Sequence, residues 1–119
     1  MKWYKKAAML GSGRAMQEIG LLFHNGSGVS QDDNQALIWY KKAVENGDKS
    51  SMFYIAMVYK GQKNYTEAMK WYLKYVEMGG GYVAMESIAK MYEEGQGVAK
   101  DSKIAAEWRA KAEADKNQK

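Results

Sequence analysis

Neither proline nor cysteine occurs in the 119 residues of this chain, and there is a single histidine, His24. Without proline, no helix is interrupted from within by a missing amide and a ring clash. Without cysteine, disulfides, thiolate chemistry and the commonest zinc ligand are excluded together. Apolar runs are short, and none approaches the roughly 20 residues needed to span a bilayer. The opening residues Met1 to Lys6 lack the apolar core of a secretory signal. The expectation is therefore a cytoplasmic protein, or a periplasmic or secreted one if the amino end has been trimmed. The net charge is +4, but lysines alternate with Glu and Asp and form no concentrated basic stripe, so nucleic acid is not an expected partner.

What is present repeats. Trp3, Trp39, Trp71 and Trp108 each open a similar stretch, at intervals of 36, 32 and 37 residues. Self-similarity at such a period predicts stacked helical units, each burying its apolar face only against its neighbours. A first helix follows each tryptophan by about a dozen residues, with apolar or small groups at i, i+1, i+4, i+5, i+7 and i+8. They are Ala15, Met16, Ile19, Gly20, Leu22, Phe23; then Ser51, Met52, Ile55, Ala56, Val58, Tyr59; then Ala84, Met85, Ile88, Ala89, Met91, Tyr92. A glycine within a helix costs about 1 kcal/mol against alanine, so Gly20 implies close approach of a neighbouring helix.

The second helices carry Ala36, Trp39, Tyr40, Ala43, Val44 and Ala68, Trp71, Tyr72, Tyr75, Val76 at i, i+3, i+4, i+7 and i+8. Asp32 and Asp101 stand where N-caps belong, and Asn64 or Thr66 is the candidate in the middle unit. Gly11, Gly47 and Gly79 each follow a tryptophan by eight residues, where a helix end requires a left-handed residue. The middle unit is shorter by four residues in its loop. The last helix substitutes Arg109 and Glu113 for aromatic or aliphatic groups, as a polar cap should. The first carries Trp3, Tyr4, Ala7 and Ala8 with nothing before them. It is therefore expected to be cut from a longer array, or to bury that face on a partner or a second copy.

The chain resembles the Sel-one-like repeat family of tetratricopeptide-like solenoids. The resemblance rests on Ala15-x3-Ile19-Gly20-x2-Phe23, Gly26-Ser27-Gly28-Val29-Ser30-Gln31-Asp32 and Ala36-x2-Trp39-Tyr40-x2-Ala43-x3-Gly47. It recurs in Ala84-x3-Ile88-Ala89-x2-Tyr92, Gly95-Gln96-Gly97-Val98 and Ala105-x2-Trp108. The middle unit lacks the Gly-x-Gly-Val loop. The resemblance implies an all-α, right-handed superhelical solenoid of antiparallel helix pairs. It would form one domain over 1–119, with a leading half-repeat at 1–11 and repeats at about 12–47, 48–79 and 80–116. It also implies a non-catalytic scaffold or adaptor for another protein. Members occur in bacterial signalling and host interaction, and as immunity proteins neutralising secreted toxins, which is the alternative within the same class.

Signals for chemistry are weak by comparison. Gly26-Ser27-Gly28 and Gly95-Gln96-Gly97 follow no expected strand and have neither dinucleotide nor P-loop spacing. His24 has no recognised set of companion ligands, so no metal, cofactor or catalytic residue is expected. Asp32-Asp33 and Glu93-Glu94 are adjacent, and adjacent helical residues do not face each other. A small-molecule-binding or hydrolytic enzyme is the remaining contrast; it would need a closed pocket with perturbed acids.

In such solenoids the first helices line the concave face, by resemblance. Removing the core stripe leaves Arg14, Gln17, Leu21 and His24, then Ser50, Phe53, Met57 and Lys60, then Val83, Glu86, Lys90 and Glu93 as candidate partner contacts. The expected ligand is a peptide or helix of another protein. Phe53 and Met57 stand out, being apolar where solvent is expected, with Tyr54 beside them. An equal alternative packs Phe53 between units. Self-association through Trp3 and Tyr4 is a further expectation.

Overall fold

The computed structural model describes residues 2–9 and 11–118, with side chains from residue 5 onward. Among them are seven helices and no strand: α1 Lys2–Met9, α2 Gly13–Asn25, α3 Asp33–Glu45, α4 Ser51–Gly61, α5 Tyr65–Glu77, α6 Tyr82–Glu94 and α7 Ser102–Asn117. The chain forms two compact units, residues 1–58 and 59–119, and the division falls inside α4. In the first unit α2 packs on α1 and α3; in the second α6 packs on α5 and α7. The side chains of Trp3 and Tyr4, and with them the expected self-association face, lie outside the described residues.

Helix boundaries follow the local chemistry. Ser12 caps α2 by accepting from the Ala15 amide at 3.1 Å. Asp32 accepts from the amides of Asn34 and Gln35, and Asp101 from those of Lys103 and Ile104, all at 3.0–3.1 Å. These satisfy donors that a helix start otherwise leaves without partners. Gly11, Gly47 and Gly79 adopt φ of 87°, 91° and 97°, as their spacing from the tryptophans predicts. The two Gly-x-Gly-Val loops close identically. The Asp32 amide donates to the Phe23 carbonyl and the Asp101 amide to the Tyr92 carbonyl, both at 2.9 Å.

The short middle loop is built differently. Asn64 occupies the N-cap of α5, but its side chain makes no capping bond, and Thr66 is exposed within the first turn. Neither candidate does the work expected of it. Lys63 takes φ +63°, the only non-glycine in the left-handed region among the described residues. With four residues fewer, the chain must reverse at that position whichever side chain stands there. Lys63→Gly should therefore raise stability by about 0.5–1 kcal/mol, read from the denaturant midpoint at unchanged m-value. A lower midpoint would show that the lysine is not strained.

The expected apolar stripes are inside. Ile19, Ile55 and Ile88 are fully buried, as are Ala36, Ala43, Ala56, Ala68 and Ala89. Gly20 lies against the Tyr40 ring, and a methyl there would meet Cδ1 and Cε1 at 2.7 Å, which explains a glycine in mid-helix. Trp39, Trp71 and Trp108, although they stand in the apolar stripes, are not fully buried. Each is half-buried and has the ammonium of a lysine three residues later over its ring, at 4.5, 5.1 and 4.5 Å. One edge of each indole packs inward, Trp39 onto the Ala8–Ala15–Met16–Ile19–Ala43 cluster, while the lysine covers part of what remains. The full burial belongs instead to the next residue, Tyr40 or Tyr72.

Candidate functional site

In unit 1 the expected partner-contacting residues lie on α2, at the entry of α4 and along it. Arg14 is 79 % exposed and its Nε lies 3.2 Å from Glu18 Oε1. Leu21 is half-buried. His24 Nδ1 stands 2.8 Å from Asp33 Oδ1, and Gln31 donates to the same oxygen at 2.9 Å. A carboxylate only accepts, so the imidazole proton belongs on Nδ1. Phe53 is half-buried and meets the Tyr54 ring edge-on at 6.1 Å, while Met57 is 44 % exposed.

Gln17 departs from its expected place. It is buried, and its amide donates to Ser50 Oγ at 2.6 Å, with Ser51 Oγ and Asp48 Oδ1 within 3.4 Å. Ser50 in turn donates to Asp48 at 2.6 Å. The pair ties α2 to the entry of α4: the fully buried Ser51 leaves a polar group there that needs a partner, and Gln17 supplies it. Gln17 thus leaves the solvent-facing row. Ser50, though exposed, is already engaged.

In unit 2, Lys60 is half-buried, Val83 is 50 % exposed, and Glu86, Lys90 and Glu93 are exposed. Arg109 grips Glu93 with both Nε and a terminal nitrogen. That hydrogen-bonded guanidinium, with Lys90 contributing, lowers the Glu93 carboxyl below its ordinary value. Arg109 stands at the repeat position that holds a buried tyrosine in the two preceding units, so the polar substitution is used at once in an ion pair across α6 and α7.

Two buried phenols are shifted upward, Tyr40 the more strongly. Tyr40 is raised well above the ordinary value of 10 by burial first, then by Tyr54, Asp33 and Glu18; Tyr72 is raised by burial, partly offset by its hydrogen bond with Ser87. Unfolded, both ionise near pH 10, so their contribution to stability is complete below that pH and is lost as pH climbs above it. The denaturant midpoint should fall steadily above pH 10, and less steeply in Tyr40→Phe. Equal slopes for the two proteins would contradict the burial of that hydroxyl. Among the described residues no group of three or more His, Asp or Glu side chains is placed to hold a metal ion, and no helix is long and apolar enough to cross a membrane.

Residues not named as partner contacts lie close by. The part-exposed Glu18 and Asp33 are near enough to the fully buried Tyr40 to oppose its ionisation, and Tyr54 stacks on its ring. One signal was available, because aligned repeats place Tyr54 where the following unit has Ser87, both two residues after a shared methionine.

Helix hairpins repeating every 32 to 37 residues, with a buried tyrosine after the lysine-covered indoles of Trp39 and Trp71, define a helical-repeat protein. The Sel1 repeat signature matches residues 1–12, 13–48, 49–80 and 83–114, and the chain belongs to the Sel1 repeat family. It is similar to a protective antigen present in uropathogenic Escherichia coli strains, whose crystal structure displays an SLR fold. That similarity has a TM-score of 0.85 and 35 % identity over 96 % of this chain and 25 % of that one. A Sel1 repeat protein from Oxalobacter formigenes superposes with a TM-score of 0.80 and 29 % identity, over 95 % of this chain and 47 % of that one. The chain thus spans a quarter and about half of the lengths of these two relatives. Proteins built from Sel1 repeats generally mediate protein–protein interaction.

Proposed function

We propose that the chain is a non-catalytic interaction module and that unit 1 binds a partner polypeptide on the surface carrying Phe53 and Met57. The observation that carries this reading is the exposure of Met57 beside a half-buried Phe53, on a helix whose opposite side holds the buried Met52, Ile55 and Ala56. A large apolar side chain left in water, one helical turn from an aromatic ring, suits a contact with another protein. Arg14 and His24 would set orientation and register more than affinity. In unit 2, Val83 with Glu86, Lys90 and Glu93 offers a second, more charged row of the same kind.

The test begins with a partner identified by affinity purification from the source cell and then purified. Phe53→Ala/Met57→Ala should fold with an unchanged helical circular-dichroism signal and bind that partner at least about thirtyfold more weakly, the effect of losing an interface anchor worth about 2 kcal/mol. Unchanged affinity in a folded double variant would remove the surface.

A further inference from the structure

Tyr40 and Tyr72 hold the same place in successive repeats, each following the tryptophan, each buried. Their hydroxyls fare differently. Tyr72 is hydrogen-bonded with Ser87. Tyr40 meets a ring where Tyr72 meets that serine: Tyr54 stacks on it at 5.5 Å with 18° between planes, and the Tyr40 hydroxyl has no hydrogen-bond partner among the described residues. An orphaned hydroxyl inside a protein is destabilising, and where one persists it marks a group that something else completes.

The surroundings specify what that is. The carboxylates of Glu18 and Asp33 are near enough to oppose ionisation of the phenol. Their side chains are 28 % and 30 % exposed, so both can be reached from solvent, the cation meeting Asp33 alongside His24 and Gln31, which already donate to its Oδ1. Carboxylate oxygens only accept hydrogen bonds and a phenol oxygen readily does, whereas an ammonium brings three donors and a guanidinium five. The ring of Tyr54 adds a face that attracts cations. Arg14 shows the chemistry in place: its guanidinium already sits on Glu18, held at one atom and 79 % exposed, so it is readily exchanged.

We propose that unit 1 carries a seat for a lysine or arginine side chain of the partner polypeptide, formed by Glu18, Asp33, the Tyr54 ring and the buried Tyr40 hydroxyl. This rests on the reading of the Phe53–Met57 surface as a partner site and adds its specificity. Phe53 touches Tyr54 edge-on, so the partner segment presents a basic residue beside an apolar one. Tyr54, half-buried, is the side chain that moves to admit the cation, because the hydroxyl beneath is closed to solvent.

The full chain, labelled with 15N and with 13C-tyrosine, is titrated with N-acetyl-arginine amide, N-acetyl-lysine amide, and the norleucine and glutamate analogues as controls. The basic amides should give saturable shifts at Tyr40, Tyr54, Glu18 and Asp33, with a dissociation constant on the order of millimolar for so small a probe. The controls should give none. Glu18→Gln/Asp33→Asn should weaken the response at least about tenfold. Tyr40→Phe should fold with equal or higher thermal stability and also bind more weakly. Absence of saturable shifts, or shifts unchanged in Glu18→Gln/Asp33→Asn, overturns the seat. So does a Tyr40→Phe variant that is less stable yet binds equally, since the hydroxyl would then be satisfied internally. If the amides fail while Phe53→Ala/Met57→Ala still abolishes binding of the purified partner, the seat falls and the surface stands. If the amides bind at the four residues but the double variant retains the partner, the surface reading falls and the seat stands.

Discussion

Tyr40→Ala should destabilise the chain by about 3–5 kcal/mol, the range for removing a fully buried aromatic side chain. Tyr40 is 0 % exposed; its ring lies on the backbone of Gly20 on one side and stacks on Tyr54 on another. Truncation opens a cavity between α2 and α3 that glycine cannot fill and that the helices, held by the Ser12 and Asp32 caps, cannot close. Trp108→Ala, although it removes a larger group, should cost less, about 1–3 kcal/mol, because that indole is only half-buried and the lysine stem can collapse onto the exposed alanines. Urea denaturation of both variants decides the matter. A tryptophan variant losing more than Tyr40→Ala would return the main packing role to the indoles.

Gly97→Ala is expected to cost about 2–5 kcal/mol, against about 1–2 kcal/mol for Gly28→Ala, its counterpart in the preceding Gly-x-Gly-Val loop. The two glycines have nearly the same backbone, φ +74° and +78°, so left-handed strain is common to both. Space separates them. A Cβ on Gly97 would stand 2.5 Å from the Tyr65 carbonyl oxygen, 2.6 Å from its carbon and 2.9 Å from the Thr66 nitrogen. All three are main-chain atoms of the first turn of α5, which cannot rotate away as a side chain could. At Gly28 nothing lies within 4 Å. Equal losses in the two variants would mean that the loop does not rest on α5 as described.

That contrast shows where the sequence could be read and where it could not. Periodicity placed Ile19, Ile55 and Ile88 in the interior, and turn chemistry placed the left-handed glycines and the aspartate caps, because these depend on a few neighbouring residues. Leu37 and Met69, one residue beyond Ala36 and Ala68, are buried outside the second-helix stripe, which the i, i+3, i+4 spacing alone does not select. Lys63 in a left-handed conformation was hidden for a related reason, the shortened loop imposing a geometry its side chain does not favour. For the candidate surface, helical spacing proposed Arg14, His24, Phe53 and Met57, all of which keep part of their side chains in solvent. It could not foresee that Gln17 turns inward, since that depends on a serine pair 33 and 34 residues away. Tyr40, Glu18 and Asp33 were not read as partner contacts for the opposite reason: each has an ordinary helical role, and only the fold brings the two acids near Tyr40 and stacks Tyr54 on its ring.

The lysine lids over the indoles bear on any effort to redesign this molecule for solubility or purification. Lys42, Lys74 and Lys111 look like interchangeable surface charge, yet their hydrocarbon stems act as roofing over aromatic rings. Glutamate at those sites would strip the roof and place an anion against the electron-rich ring face, whereas the exposed Lys49 covers no ring among the described residues. Acetylation of the three amines would act in the same direction, discharging the lid while leaving its length intact. Part of the chain's positive charge is thus structural material, and electrophoretic tuning is best confined to the lysines that cover nothing.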